Sequence, residues 1–312
     1  MSDLKEIDSS APDLSAIVVS YNTRDMTIEC LRTLDAALEG MAAEVIVVDN
    51  ASTDGSVDAI RNACPRARLI AREKNAGFGA ANNHAMGMAR GRFLLLLNSD
   101  AFPERTAIGA LLDFIQGHPR AAVVGPRLLN ADGTLQISCH PFPTPLFAWL
   151  ENLWLARGYR GWRHDSVRKV DFLIGACMLV RREAYEQVGG FDESFFMYSE
   201  EADWQRRMKN AGWEVVFLPE ARVKHLGGAS GANEEARVSR HFFESLDYYE
   251  RKHHGLAGLI AFRLAMTVGC ALRTVVWSAV SLLPARREVA RAKARKHSRL
   301  CVRQAFHWAT RS

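Results

Sequence analysis

Three short stretches carry side chains that could do chemistry, and each ends an apolar run. Asn98-Ser99-Asp100 follows Phe93 to Leu97, Asp49 and its neighbours follow Glu44 to Val48, and Tyr21-Asn22 follows the run Ser15 to Ser20. An apolar run without alternation is expected of a strand covered on both faces in a parallel sheet. Ligands of open α/β sheets bind beyond the carboxyl ends of the strands, so polar residues there face a crevice. Taken alone, Asn98-Ser99-Asp100 reads equally well as a polar turn, and Asp49 as a helix cap or turn former. Three strand ends aimed at one crevice make a site. For a nucleotide ligand each has a use. Tyr21 could cover a face of the base, and Asp49 could accept from a ring N–H, which suits the imide of uracil or thymine. Asp100 could hold a divalent cation bridging two phosphates, because hard cations favour carboxylate oxygen. Asn75 and the glycines Gly77 and Gly79 could bring backbone N–H groups close to the ligand near a helix start, although this turn fits no GxGxxG fingerprint.

A second acidic group lies at Ser199-Glu200-Glu201-Ala202-Asp203. Its residues suit the first turn of a helix, where acids favour the dipole, and Asp203 could pair Arg206 or Arg207. They could equally supply a carboxylate that takes a proton from a hydroxyl. His225, ending the short strand Ala221 to His225, has the ordinary reading of a structural histidine.

The elements that must position these residues follow in order. Strands Ser15 to Ser20, Glu44 to Val48, Arg68 to Ala71 and Phe93 to Leu97 alternate with helical patterns running from Thr23, the expected N-cap, to about Leu38, and over Val57 to Ala63 and Ala80 to Ala89. Pro103 is expected at the start of a further helix reaching about Gly117. Such short intervals imply a doubly wound α/β domain. Ala121 to Val124 reads as a strand before a turn at Asn130 to Gly133. Residues 138–168 read as an irregular connector whose aromatics, including Phe142, Trp149 and Trp162, either pack or touch an acceptor. Phe172 to Val180 reads as one buried strand, Arg182 to Val188 and Ala202 to Ala211 as helices, and Glu214 to Leu218 and Ala221 to His225 as two strands around Pro219.

The 312 residues suffice for one large or two small domains, and the net charge of +5 is concentrated near the C-terminus. The first two thirds lack the interleaved basic and aromatic face that nucleic acid requires, so no nucleic-acid partner is expected. Six scattered cysteines without a CxxC pair point to reduced thiols in a cytosolic protein. Residues 1–13 are polar, without a signal-peptide core, and are expected to be disordered.

The segments VVSYN (Val18 to Asn22), VVDNASTDGS (Val47 to Ser56), NAGFGAANN (Asn75 to Asn83) and LLLLNSD (Leu94 to Asp100) together resemble family 2 glycosyltransferases in order and spacing. FDESFFMYSEEADWQRR resembles that family's FFMYxEDxDxxxR segment. The resemblance implies a GT-A fold over residues 14–254 that binds a nucleoside diphosphate sugar, here a dTDP- or UDP-sugar. It implies that Ser20, Tyr21, Asn22 and Asp49 contact the donor. Asn75, Gly77, Asn82, Asn98, Ser99 and Asp100 complete that group. Mg²⁺ or Mn²⁺ is implied at Asp100, although Asn98 replaces the first acid of the family's Asp-x-Asp-like motif. His225 is implied as a metal or diphosphate contact. Glu201 aligns with the catalytic base, Glu standing for the usual Asp, with Glu200 and Asp203 as alternatives. The Asn-x-Asp form is similar to bacterial rhamnosyltransferases, which implies inverting transfer, with dTDP-rhamnose as donor, in cell-envelope polysaccharide synthesis. A binding module that has lost turnover is the alternative. Residues 227–236 read as a lid over the donor.

Beyond His254 the composition changes. Leu256 to Leu283 is apolar but interrupted by Arg263 and Arg273, and a central arginine costs about 2.5 kcal/mol or more in a span of roughly 20 residues. Arg286 to Arg299 follows with seven basic residues against only Glu288. Residues 255–312 are therefore expected to form an amphipathic, basic helical segment. It would lie peripherally on the cytoplasmic leaflet, near a lipid-linked or saccharide acceptor. A solvated helix closing a homodimer is the other use of that charge.

Overall fold

In the computed structural model the apolar runs form the strands of one mixed sheet. It describes residues 12–155, 164–227, 235–283 and 287–306. The N-terminal tail up to residue 11, Trp162, Arg286 and most of the expected lid (228–234) lie outside the described residues. The chain divides into two compact units, Met1–Phe142 with Arg163–Ser245, and Pro143–Trp162 with Leu246–Ser312.

In the first unit the chain opens β1 (Leu14–Ser20), α1 (Arg24–Ala37), β2 (Ala43–Asp49), α2 (Ser56–Ala63), β3 (Arg68–Ala71), α3 (Phe78–Met88) and β4 (Phe93–Asn98). The four strands are parallel neighbours in the order β3-β2-β1-β4. β5 (Ala101–Pro103), α4 (Ala107–Gly117), β6 (Ala121–Leu129), β7 (Leu135–Gln136) and β8 (Cys139–His140) follow. In the second unit α5 (Pro145–Asn152) comes next, and β9 (Arg168–Lys169), β10 (Phe172–Leu173), β11 (Cys177–Arg181), α6 (Arg182–Val188), α7 (Glu200–Asn210) and β12 (Glu214–His225) return to the first. The sheet continues β4-β11-β6-β12-β5, with β11 antiparallel to both neighbours and β12 parallel to β6. Leu95, Leu97, Val18, Val47 and Leu179 are fully buried beneath α1 and α4, as the unbroken apolar runs require.

Register does the positioning. Ser20 pairs with Asp49 and Val19 with Asn98, so the ends of β1, β2 and β4 stand in a row. The antiparallel pair β12 and β5 sets His225 opposite Ala101, beside Asp100.

Four expectations are corrected. Pro103 ends the edge strand β5, where a missing N–H breaks no ladder, and the helix starts at Ala107. Phe172 to Val180 is two strands, because Ile174 to Ala176 leave the ladder to line a cavity and β10 pairs β8 instead. Glu214 to His225 is one strand with an irregularity between Leu218 and Arg222 that accommodates Pro219. The connector contains β8, α5 and β9, with Thr144 capping α5 through its hydroxyl to the Phe147 N–H.

α8 (Glu235–Val280) kinks at Gly255, whose φ of 68° is open to glycine without steric cost. In the second unit its later arm and α9 (Arg287–Phe306) run antiparallel. The Cys301 thiol reaches the Thr267 carbonyl at 3.6 Å, and the Lys293 ammonium sits 4.2 Å from the Trp277 ring centre. Both arginines turn inward within that unit. Arg263 pairs Asp247 at 2.7 Å, and Arg273 donates to Asn152 at 2.6 Å over the Trp154 ring. Leu264, Val268, Leu272 and Val275 form an exposed stripe at helical spacing. The helix 240–280 is long and apolar enough, by length and composition, to cross a membrane.

Candidate active site

The strand ends open onto a cavity of about 330 Å³. At one wall, Asn50 Nδ2 donates to Asn75 Oδ1 (2.8 Å) and to the Gly77 carbonyl (3.2 Å), tying the end of β2 to the loop before α3. Asn75 in turn accepts from the Gly77 N–H at 2.9 Å. Gly77 has φ 91°, and a Cβ there would strike the Phe196 carbonyl, so this loop tolerates only glycine. Asn22 binds the Ser52 hydroxyl and the Thr53 N–H, at 2.9 and 2.8 Å, which locks the ends of β1 and β2 together. Asp49 is 1% exposed; Oδ1 accepts from the Ser52 N–H at 2.9 Å, while Oδ2 is buried without a partner among the described residues. A buried carboxylate oxygen left so is costly until a ligand N–H meets it.

At the cavity floor Asp100 Oδ1 lies 3.3 Å from His225 Nε2. Thr23, expected as a helix cap, stands at the N-cap position of α1 but caps no N–H. Its hydroxyl lies 2.9 Å from that of Ser99 and joins Ser20 and Thr27 in a buried hydroxyl cluster under the Asn98-Ser99-Asp100 turn. That cluster fixes the turn from below, so Ser20 acts as support and does not line the cavity.

Opposite stand Glu200 and Glu201, at the start of α7. Tyr198 and Ser199 before them both have positive φ, 72° and 66°. Non-glycine residues held so cost about 1–3 kcal/mol each and persist where the surroundings over-determine them. Here the 196–198 loop is held by the Phe78 N–H to the Phe196 carbonyl and by the Ser245 hydroxyl to the Met197 carbonyl, at 3.1 and 2.7 Å. Each glutamate keeps one buried carboxylate oxygen without a hydrogen-bond partner among the described residues. Burial raises the Glu200 carboxyl well above its ordinary range, reinforced by the charge of Glu201. Burial also pushes Glu201 up to about 7, opposed in part by backbone groups at Glu201, Ala202, Gly175 and Ser199. A base poised there suits catalysis near neutral pH.

These raised values fix a sign. The folded state holds the protons more tightly than the unfolded chain, so the contribution to stability is full below the ordinary carboxyl range. It is lost as pH rises through about 7. Thermal unfolding of the ligand-free protein should therefore show Tm falling from pH 5 to pH 8, as the unfolding free energy drops by up to about 1.4 kcal/mol per pH unit for each titrating group. Glu200→Gln should flatten the slope. An unchanged slope in that variant would contradict the buried pair.

Of the residues singled out from sequence, Tyr21, Asn75, Gly77, Asn98, Ser99, Asp100, Glu200, Glu201 and His225 line this cavity. Asn22 and Asp49 are not among the lining residues, and Asn82 donates to the Phe78 carbonyl within α3. Asp203 lies outside the lining: fully buried, it pairs Arg207 at 2.9 Å, and Arg207 also holds the Val188 and Gly190 carbonyls. Sequence reasoning missed Asn50 and Gln136. The first was visible only as part of a turn, and the second needs β7 laid beside β6 to reach His225.

Asp100 and His225 suit a divalent cation: one carboxylate and one imidazole nitrogen, both largely buried, on a cavity open to further oxygen ligands. Among the described residues no group of three or more protein ligands gathers, so remaining positions would fall to substrate oxygens and water.

Known proteins share this architecture. An N-acetylglucosaminyl-diphospho-decaprenol L-rhamnosyltransferase of Mycobacterium tuberculosis is 31% identical over 291 residues, 83% of this chain and 94% of that protein. A low-salt glycan biosynthesis hexosyltransferase of Haloferax volcanii is 29% identical over 203 residues, 63% of this chain and 62% of that one. A mannosyltransferase from Pyrobaculum calidifontis, solved with GDP-Man and Mn²⁺, superposes with TM-score 0.55 at 18% identity, covering 96% of this chain and 88% of that one. The fold is GT-A. Residues 15–189 match the family Glycosyl transferase family 2, and residues 152–288 match Glycosyl transferase family group 2. The chain belongs to family 2 of the glycosyltransferases, on the side of the rhamnosyltransferases.

Proposed function

We propose that the protein moves rhamnose from dTDP-rhamnose, with inversion, to a saccharide carried on a polyprenyl diphosphate at the cytoplasmic face of a membrane. The observation that carries this reading is that Glu201 and the Asp100–His225 pair line one cavity. The rhamnosyl and polyprenyl parts are supported by the decaprenol-linked mycobacterial relative.

The donor base lies against Tyr21, its imide N–H answering the open Asp49 oxygen. Asp100 and His225 would hold Mg²⁺ or Mn²⁺, which would neutralise charge on the departing diphosphate. Support for the ion comes from the donor set and from the Mn²⁺ in the Pyrobaculum enzyme. Glu201 takes the proton of the acceptor hydroxyl as its oxygen attacks the anomeric carbon from the face opposite the nucleotide. The bond from that carbon to the diphosphate oxygen breaks, and nucleoside diphosphate leaves. Supplying purified protein with a panel of nucleotide sugars and measuring nucleoside diphosphate release tests the donor. Release should be fastest from dTDP-rhamnose; preference for a UDP-sugar replaces that donor, and silence across the panel favours a binding module.

Membrane contact rests on the exposed stripe Leu264, Val268, Leu272 and Val275 and on the exposed bases of α9, Arg291, Lys293, Arg295, Lys296 and Arg299. Apolar burial and charge together make the two-part anchor that stable peripheral attachment needs. Because Arg263 and Arg273 are held inside the second unit, they do not interrupt the stripe. The protein should float with vesicles containing anionic lipid, and less so at high salt. Replacing Arg291, Arg295, Lys296 and Arg299 with Glu should abolish flotation at physiological salt. Flotation indifferent to charge and salt, with the C-terminus protected on the far side, would replace attachment by a span.

A further inference from the structure

Gln136 occupies β7, on the far side of His225 from the cavity. A chain of side-chain amides converges there, and two backbone carbonyls give it a direction. Asn130 sits 3.3 Å from the Leu135 carbonyl and 2.9 Å from the Thr134 hydroxyl through one terminal atom. A carbonyl only accepts, so that atom is Nδ2, and Oδ1 is the atom turned toward Gln136. The Gln136 atom that meets Asn130 Oδ1 at 3.1 Å also meets the His225 carbonyl at 3.3 Å, so it is Nε2. Gln136 Oε1 is then left facing His225 Nδ1 at 2.7 Å. An amide oxygen only accepts, so Nδ1 carries the hydrogen. In the neutral ring Nε2 is therefore the bare nitrogen, and it is the one 3.3 Å from Asp100 Oδ1.

Nε2 and Asp100 Oδ1, side by side in a largely buried place, present two lone-pair donors that one cation could share. We infer that Gln136 is a positioning residue for the cation. It fixes His225 in the Nδ1–H tautomer, so that Nε2 presents its lone pair toward the ion shared with Asp100. Without that acceptor the ring would turn to the other tautomer and donate Nε2–H to Asp100, a hydrogen bond occupying both ligands at once. Histidines that bind metals commonly donate their second N–H to a fixed acceptor, and loss of such a partner typically lowers metal affinity by about 10- to 100-fold. The hairpin turn Asn130-Ala131-Asp132-Gly133 thereby gains a role: with Thr134 bound to Asp132 at 2.6 Å, it holds Asn130, which holds Gln136.

The inference rests on reading Asp100 and His225 as cation ligands, and the test separates the two. Mn²⁺ binding to the full-length protein in the presence of dTDP is measured by electron paramagnetic resonance for wild type, Gln136→Leu, Gln136→Glu, His225→Ala and the double variant Gln136→Leu/His225→Ala. The His225 tautomer is read from ¹⁵N-histidine spectra of the protein without metal. Gln136→Leu should weaken Mn²⁺ by about 10- to 100-fold and shift His225 to the Nε2–H tautomer. Gln136→Glu, which still accepts from Nδ1–H, should keep the wild-type tautomer and bind Mn²⁺ at least as tightly. Once His225 is gone, Gln136→Leu should cost nothing more. An unchanged tautomer in Gln136→Leu, or an equal loss with and without His225, overturns the role of Gln136. Wild-type Mn²⁺ affinity in His225→Ala overturns the ligand reading, while the spectra still report on the hydrogen bond.

Discussion

Glu201→Gln is expected to lose roughly 10²- to 10⁴-fold in transfer rate while donor binding persists. The amide keeps the shape of the side chain but cannot take the acceptor's proton. Its pH profile should change with it: wild-type activity should rise toward neutral pH as Glu201, whose carboxyl is held above its ordinary range by burial, ionises, and the residual activity of the variant should lack that rise. Asp203→Asn makes the contrast. Asp203 is held by Arg207, which secures the α6–α7 connection through the Val188 and Gly190 carbonyls, so this change should lower Tm before it lowers rate. Single-turnover rates with donor affinity measured in parallel check both. A fully active Glu201→Gln beside a well-folded, dead Asp203→Asn would move the base two residues along the chain.

Asp100→Asn should abolish turnover and weaken metal-dependent nucleotide binding together. Asp100 is the one carboxylate at the floor formed by the Asn98-Ser99-Asp100 turn, and its amide replacement removes the charge that a hard cation seeks. Removing a group that stabilises developing charge typically costs about 10²- to 10³-fold in rate. Calorimetric titration of nucleoside diphosphate with and without Mn²⁺ separates the causes. The variant should bind nucleotide equally in both, whereas wild type gains affinity with metal. Metal-linked affinity unchanged by the substitution removes Asp100 from the role.

How far these residues could be read in advance depended on the range of the interactions that place them. The Asn98-Ser99-Asp100 end of β4 was legible because an apolar strand stops abruptly there, a local event. The acid-rich start of α7 was legible for the same reason, although whether Glu201 or Asp203 faced the cavity turned on helix phase and on Arg207. Thr23 looked like a cap in sequence, but the 76-residue separation to Ser99 hid what its hydroxyl does. Gln136 was invisible, since its partner His225 is 89 residues away and joined to it only by strand pairing. The break in Phe172 to Val180 was hidden by uniform hydrophobicity: Ile174 leaves the ladder for the cavity while remaining as apolar as its neighbours. Arg263 and Arg273 misled in the other direction. They read as interruptions of an apolar segment, but Asp247 and Asn152 draw them off the exposed face.

The most direct test of the account is transfer itself. Full-length protein is incubated with labelled dTDP-rhamnose, Mg²⁺ or Mn²⁺, and a polyprenyl-diphosphate-linked N-acetylglucosamine in vesicles containing anionic lipid, and the label is followed into the organic phase. The account predicts a lipid-extractable, rhamnosylated product of inverted anomeric configuration, formed in step with dTDP release, and absent in Glu201→Gln and Asp100→Asn. Product of retained configuration, or transfer at wild-type rates by both variants, would contradict it.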